Sequence, residues 1–453
     1  MASISTFSGI QTSLRGLLAQ QRSLDVTSHN IANASTVGYT RQEATLVATR
    51  AMNVSAGDMA NGGQLGTGVD VQSYRRVRDQ FLDLQYRAQN MQLGDQTARS
   101  DALQNVELSF AEPGDAGIQN AMDEFFGAWA DLSNSADSGA AKQAVIDKAR
   151  TLSSQINDLQ TNLAKQRQAA ADEYAQTAGA GGQINQISTD LAATLNAIRS
   201  AEKTGAQPND LYDRRDLLLD QLSTMGQVSV TNSAGGGIDV SLGGVTVVDS
   251  DDTTGVASVP AGSFPLTYTA SPGGKLGALL DMQSATGPIA SYQTALATVA
   301  STLASSVNGV YNASGTGTDF FTYGTDPTGL PQLAFNEPAV NVANLTGGTG
   351  GPADNSIALG ISRLQGGAAD QTYKQLVTRM GNEVSAIKRG EANAQVLTDN
   401  VKDRRDSVSG VSLDEEMTNI IRFQRAYQAS ARAMSTTDEM LDTLINRAGR
   451  VGL

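Results

Sequence analysis

Ser412-Leu413-Asp414-Glu415-Glu416-Met417-Thr418-Asn419-Ile420-Ile421 opens the stretch whose reading decides the fold. Ser412 and Glu415 have the S-x-x-E spacing of a capping box, and the acids Asp414 to Glu416 stand where the positive end of a helix dipole favours them. From there Leu413, Met417, Ile420, Gln424, Tyr427, Ala431, Met434, Asp438, Leu441 and Ile445 recur three and four apart, the spacing of a coiled-coil seam. Arg447, Gly449 and Arg450 supply the basic residues and the left-handed stop of a helix C-terminus. About 35 residues at about 1.5 Å each make a rod of roughly 50 Å. Small neighbours do not cover so long an apolar stripe, so a second long helix is expected beside it.

The other end of the chain supplies one. Phe7, Ile10, Leu14, Leu17, Gln21, Leu24, Ser28 and Ile31 repeat the same spacing with two polar interruptions. Residues 1–40 and 412–453 are therefore expected to form a terminal coiled coil that frames everything between them. Inside it, one-face apolar runs predict a bundle of long helices. They include Ile118, Met122, Phe125, Trp129 and Leu132, then Leu152 to Leu163, Ile184 to Ile198, Ile289 to Val310 and Tyr373 to Ile387. Between about 228 and 275 the period changes to two, with Val228, Val230, Ile238, Val240, Leu242, Val245 and Val247 punctuated by Gly235-Gly236-Gly237 and Gly243-Gly244, which reads as short strands. The predicted fold class is α+β: long terminal helices forming a coiled coil, a mainly helical body over 41–227 and 276–411, and a small inserted β domain at 228–275. The Gly-, Asn- and Pro-rich region 311–370 is expected to be irregular, with a few strands available to that β unit.

Composition narrows the chemistry. The net charge is −14 at pH 7, so the long-range field repels phosphate backbones and anionic lipid, and neither nucleic acid nor a membrane is expected as a partner. The chain has no cysteine and a single histidine, His29. Disulfides, thiol nucleophiles and His clusters for zinc are thereby excluded, and no catalytic, cofactor-binding or metal site is expected. Met1 to Phe7 lack a basic n-region and an apolar h-region, and no apolar run approaches the ~20 residues that span a bilayer. The acids Asp210, Asp213, Asp216 and Asp220, spaced along one stretch, read as a solvated helix face paired with Arg214 and Arg215. Asp249-Ser250-Asp251-Asp252-Thr253-Thr254-Gly255 starts like a calcium loop, but position twelve is Pro260 where a bidentate Glu is required, so it reads as a turn.

Ser28-His29-Asn30-Ile31-Ala32-Asn33-Ala34-Ser35-Thr36-Val37-Gly38-Tyr39-Thr40-Arg41-Gln42 suits a helix that stops and reverses. Asn33 tolerates the left-handed region, Gly38 allows positive φ and Tyr39 can anchor the reversal. This stretch resembles the N-terminal signature of the bacterial flagellar rod, hook and hook-associated axial proteins. Ser409 to Glu416, Gln424 to Ser430 and Thr436 to Leu441 are similar to that family's C-terminal signature. Asn209-Asp210-Leu211-Tyr212-Asp213-Arg214-Arg215-Asp216 and Gly274-Lys275-Leu276-Gly277-Ala278-Leu279-Leu280-Asp281 look like interior segments of its hook-associated members. Val37 stands where family members commonly have Pro, and the β region is short beside larger relatives.

The resemblance implies a structural subunit, not an enzyme, that is exported by the flagellar type III system and assembles at the hook–filament junction through its terminal helices. The alternative within the family is a hook or rod axial subunit. Implied partners are copies of itself, hook protein, the next hook-associated protein toward the filament, and a cytosolic export chaperone on the C-terminal helix. The expected subunit interface is the two seams: Phe7, Ile10, Leu14, Leu17, Leu24 and Ile31 with Leu413, Met417, Ile420, Tyr427, Met434, Leu441 and Ile445. Asn30, Asn33, Gly38 and Tyr39 form the motif turn. The terminal helices are expected to be mobile before assembly, because each exposes an apolar stripe.

Overall fold

The computed structural model describes residues 7–54, 63–112, 114, 117–260, 271–315, 317–337, 339–351 and 353–447. Helix α1 (Ser8–Ala32) is followed by a hairpin in which β1 (Gln42–Ala48) pairs antiparallel with β4 (Val69–Arg76). A short outer pair, β2 (Met52–Val54) and β3 (Gly63–Leu65), extends it. The hairpin leans on α1, where Arg15 donates to the Thr67 carbonyl at 3.1 Å. Sequence reading had placed this segment in the helical body. Its alternation is hidden because a bulge between Thr45 and Leu46 resets the register in mid-strand.

The body comprises α2 (Gln80–Phe110), α3 (Ile118–Asn134), α4 (Gly139–Ala178), α5 (Gln183–Lys203) and α6 (Asn209–Met225). A four-stranded antiparallel sheet follows in the order β5 (Val228–Asn232), β6 (Ile238–Leu242), β7 (Val245–Ser250) and β8 (Ala257–Ser258). Then come α7 (Gly274–Gln283), α8 (Pro288–Tyr311), the hairpin β9 (Phe321–Thr325) and β10 (Pro331–Phe335), α9 (Ser356–Ser362) and α10 (Ala368–Ser409). The chain closes with α11 (Leu413–Asp442) and a π-helical turn, Thr443–Arg447. Gly449 and Arg450, expected at the helix stop, lie outside the described residues.

The apolar stripes read from sequence meet in one continuous core. Met122, Phe125, Trp129 and Leu132 of α3, Leu152, Ile156 and Leu163 of α4, Leu296 to Val307 of α8 and Tyr373 to Val384 of α10 are buried together. The sheet inserts between α6 and α7, as its period predicted. Gly243 (φ +57°) and Gly244 (φ +83°) make the two-residue turn between β6 and β7, where both central residues need positive φ. Its buried residues Val240, Leu242, Val247 and Val248 belong to the same core as the helices. Asp251 accepts from the backbone amides of Thr253 and Thr254 in a local turn, as read.

Region 311–370 does supply strands, but they do not join that sheet: β9 and β10 form their own two-stranded unit. Two asparagines hold it on the helices. Asn157 of α4 bonds both the amide (3.0 Å) and carbonyl (2.9 Å) of Leu333, and Asn308 of α8 takes the amides of Phe320 and Phe321, each at 3.0 Å. Phe320 then packs edge-on against Trp129 at 5.3 Å between centroids. Aromatic burial on α3 outcompetes pairing with a distant sheet edge.

Candidate assembly interface and the elbow behind it

α1 and α11 lie side by side, antiparallel, with a regular stagger. An added Cβ at Gly9 would touch Thr437 Cγ2 at 3.3 Å, and one at Gly16 would touch Ser430 Oγ at 3.2 Å. At the far end the buried Glu416 falls opposite Asn30, with Thr27 beside it. Each step of seven along α1 is thus matched by a step of seven back along α11, and the same stagger sets Ser23 opposite Phe423. The centre of the contact is small and polar: the buried residues of α1 are Ala19, Ser23, Thr27 and Asn30, and that of α11 is Glu416.

The expected seam residues divide about this contact. Ile10, Leu17, Leu24 and Ile31, with Ile420, Tyr427, Met434 and Leu441, flank the contact and are half-buried. Phe7 and Leu14, with Leu413, Met417 and Ile445, face outward and are exposed, Phe7 and Met417 each at 54% and Ile445 at 70%. Gly9, Gly16 and Ser23 let the two backbones approach closely, and that approach pushes the large apolar side chains to the rim. Within the chain the contact line on α1 therefore runs along Gly9, Gly16, Ser23 and Asn30, one position from Ile10, Leu17, Leu24 and Ile31. The capping box is half realised: Ser412 Oγ accepts from the Glu415 amide, but the Glu415 carboxylate leaves for Arg41, 2.7 Å away.

The motif turn closes against the body at an elbow. The Asn30 side chain, buried, donates to the Gln42 carbonyl at 3.0 Å and accepts from the Gln42 amide at 3.0 Å and the Tyr39 hydroxyl at 2.7 Å. Gly38 adopts φ +81°, as read. Asn33 does not enter the left-handed region; its φ is −103° and its side-chain amide turns back to the His29 carbonyl at 3.0 Å. His29 packs edge-on to the Tyr39 ring at 5.5 Å, with Nε2 at 3.6 Å from Asp210. A Cβ at Gly38 would meet Leu217 of α6 at 3.3 Å. Gly38→Ala therefore places a side chain in a strained conformation against a packed neighbour, and a loss of about 1–2 kcal/mol is expected in urea unfolding.

The second motif is the other half of this elbow. Gln42 Nε2 donates to Asp210 (3.0 Å) while Asn209 donates to Gln42 Oε1 (3.0 Å) and the Tyr74 carbonyl (2.9 Å). Asp213 accepts from the Thr40 amide at 3.0 Å. Of the acids read as a solvated face, Asp210 is exposed but Asp213, Asp216 and Asp220 are all buried. Arg76 bridges Asp213 and Asp216, each at 2.9 Å; Arg78 reaches Asp216 at 3.2 Å; Arg87 (2.8 Å) and Arg405 (2.6 Å) hold Asp220. Arg215 pairs with Asp216 at 2.8 Å as expected, but Arg214 turns out to Asp190. Asn209, Asp213, Asp216, Asp220 and Ser223 follow the four-three spacing of a buried helix face. That periodicity, matched by the arginines at 76, 78 and 87, was the available signal.

Burial raises the carboxyl of Asp213 above the usual range despite its bonds to Thr40 and Arg76. Burial pushes Asp216 the same way, but the charges of Arg78, Arg215 and Arg76 outweigh it and hold that carboxyl low. Glu416 is raised, by burial first, against the pull of Asn30, Arg41 and Thr27. The sign for Glu416 is direct: a carboxyl with a higher pKa when docked binds its proton more tightly when docked. Its contribution to docking is full below the ordinary value of 4.5 and is lost as pH rises through the raised one. Hydrogen-exchange protection at 413–420 is accordingly expected to grow as pH falls from 7 toward 5, after correction for intrinsic rates, and Glu416→Gln to flatten that dependence. Asp216 acts in the opposite sense, its stabilisation failing only as pH falls below the usual carboxylate range.

Two helices from opposite chain ends, closed on a body by two interlocked motifs, are what comparison with known proteins also picks out. The flagella basal body rod protein family matches residues 10–40, and the C-terminal family of the basal body rod FlgEFG proteins matches 405–447. Between them the flagellar hook-associated protein FlgK helical domain matches 103–321. The class is that of flagellar axial structural proteins. Flagellar hook-associated protein 1 of Bacillus subtilis is 31% identical over 98% of this chain and 99% of its own length. The chain belongs to the flagellar hook-associated protein 1 family. The Escherichia coli relative of the same description is 25% identical over 96% of this chain and 99% of its own. These alignments run over 507 and 555 positions against 453 residues here, so both relatives carry insertions. A solved flagellar hook junction protein FlgK from Burkholderia pseudomallei is 25% identical with a TM-score of 0.43, covering 53% of this chain and 47% of that one.

Proposed function

We propose that this chain is exported by the flagellar type III system and assembles as the junction between hook and filament, its terminal helices packing against those of neighbouring copies. The observation that carries the reading is the row of large apolar side chains left outside the α1–α11 contact: Leu14 and Leu18 on one helix, Leu413, Met417, Ile421 and Met440 on the other. Exposed apolar rows of this length on paired helices favour burial against like surfaces. Partners on this reading are copies of the chain, hook protein on one side and the next hook-associated protein on the other, with an export chaperone covering α11 beforehand. Residues 1–40 and 412–453 act as the inner unit, and 41–227 with 276–411 as the body that carries the 228–275 insert outward.

A hook subunit is the second reading. Brucella suis flagellar hook protein FlgE is 24% identical over 98% of this chain. Against it stands the match of the interior to the hook-associated helical domain. The test is electron microscopy of cells lacking the gene. Bare hooks without filaments, restored by this chain, are expected; intact filaments in the deletion strain would overturn the junction role, and missing hooks would favour the hook reading.

A further inference from the structure

The contact between α1 and α11 repeats every seven residues, and its outer layers, Gly9 beside Thr437 and Gly16 beside Ser430, offer little to distinguish one stagger from another. Layers built of glycine, serine and threonine lack the shape to fix a register. The layer at the elbow end is different. Glu416 is 2% exposed and belongs to the innermost line of the contact. It is met there by Asn30 and Thr27 from α1, with Arg41 adding attraction and Glu415 repulsion. Asn30 is itself fixed by the Gln42 backbone and Tyr39, so the donor facing Glu416 is anchored to the body.

We infer that Glu416, seated on Asn30 and Thr27, is the register pin of the terminal helix pair: it sets the stagger of α11 on α1. A single buried polar group in a helix contact selects one alignment because every other alignment leaves it without partners. Sliding α11 by one turn, about 5.4 Å, removes Glu416 from Asn30, whose position the Gln42 backbone fixes. Glu416 is thus a positioning residue. The stagger also decides which outward side chains of α11 stand beside Leu14; that consequence rests on the assembly reading, whereas the pin does not.

The absence of cysteine from the sequence makes the test clean. A Cβ on Gly16 would lie 3.9 Å from the Cβ of Ser430, within the separation a disulfide needs. In the purified full chain carrying Gly16→Cys with Ser430→Cys, mild oxidation is expected to join the two positions nearly completely. Pairing Gly16→Cys with Ala426→Cys or Met434→Cys, one turn either way, is expected to give little product. Adding Glu416→Ala is expected to lower the 16–430 yield at least fivefold and to raise product at 426 or 434, while Glu416→Gln, which keeps an acceptor for Asn30, restores the 16–430 bond. Circular dichroism and slow exchange in α3 and α4 check that the body stays folded. Unchanged 16–430 yield in Glu416→Ala, or failure of Gln to restore it, overturns the pin. Loss of filament attachment in variants whose cross-link pattern is native would bear on the assembly reading alone.

Discussion

Asp216→Ala is expected to destabilise the chain by about 3–5 kcal/mol, the cost of leaving buried charge without its partner. Four arginines lie on this carboxylate, Arg76 at 2.9 Å, Arg78 at 3.2 Å, Arg215 at 2.8 Å and Arg87 at 3.8 Å, and the residue is buried. Removing it strands positive charge where α2, α6, α10 and the motif turn converge. The contrast is Arg214→Ala, which breaks an exposed pair with Asp190 and should cost less than about 1 kcal/mol. Urea unfolding of the two variants side by side separates a buried network from a solvated one. Equal midpoints would mean that the elbow holds no special share of the stability.

Leu14→Asp and Met417→Asp should leave the monomer intact and abolish filament attachment. Both side chains are exposed, Leu14 at 40% and Met417 at 54%, so neither change removes a buried core residue. On the proposed assembly this face is buried between copies, where an unpaired carboxylate costs about 3–5 kcal/mol per subunit. Complementation of a deletion strain, scored by attached filaments, reads the effect, and the urea midpoint of the purified variant confirms that the fold is unaltered. Attachment at the normal level with both residues changed would remove this face from the proposed interface.

The helical body was legible because its stripes are made of large aliphatic and aromatic residues whose burial overrides everything local; Met122, Phe125 and Trp129 could face nowhere else. The sheet was legible from Gly243-Gly244, since adjacent positive φ values belong to tight hairpins. The hairpin over 42–76 was not, because the bulge at Thr45/Leu46 breaks the alternation by which strands are read. The contact line between the terminal helices was hidden for a related reason. Hydrophobic periodicity finds the largest side chains, and here the contact line is drawn by Gly9, Gly16, Ser23 and Asn30, with the large residues at its rim.

The elbow shows a different limit. Asp213, Asp216 and Asp220 carry the spacing of a buried face, but carboxylates are read as solvated unless their cations are known to be near. Those cations sit at 76, 78, 87 and 405, and only the folded topology brings them together. The two family signatures, about 170 residues apart, turn out to be one site: Asn30, Gln42 and Thr40 from the first are bonded through Gln42 and Thr40 to Asn209, Asp210 and Asp213 of the second. Resemblance located both motifs without saying that they touch.

Hydrogen exchange on the purified chain, followed residue by residue, is the most direct test of a terminal pair that is held thinly until copies meet. Amides of 8–32 and 413–442 should exchange faster than those of α3 and α4 by on the order of a hundredfold or more, because their shared contact buries little but Ala19, Ser23, Thr27, Asn30 and Glu416. Protection in both terminal helices equal to that of α3 and α4 would contradict the account.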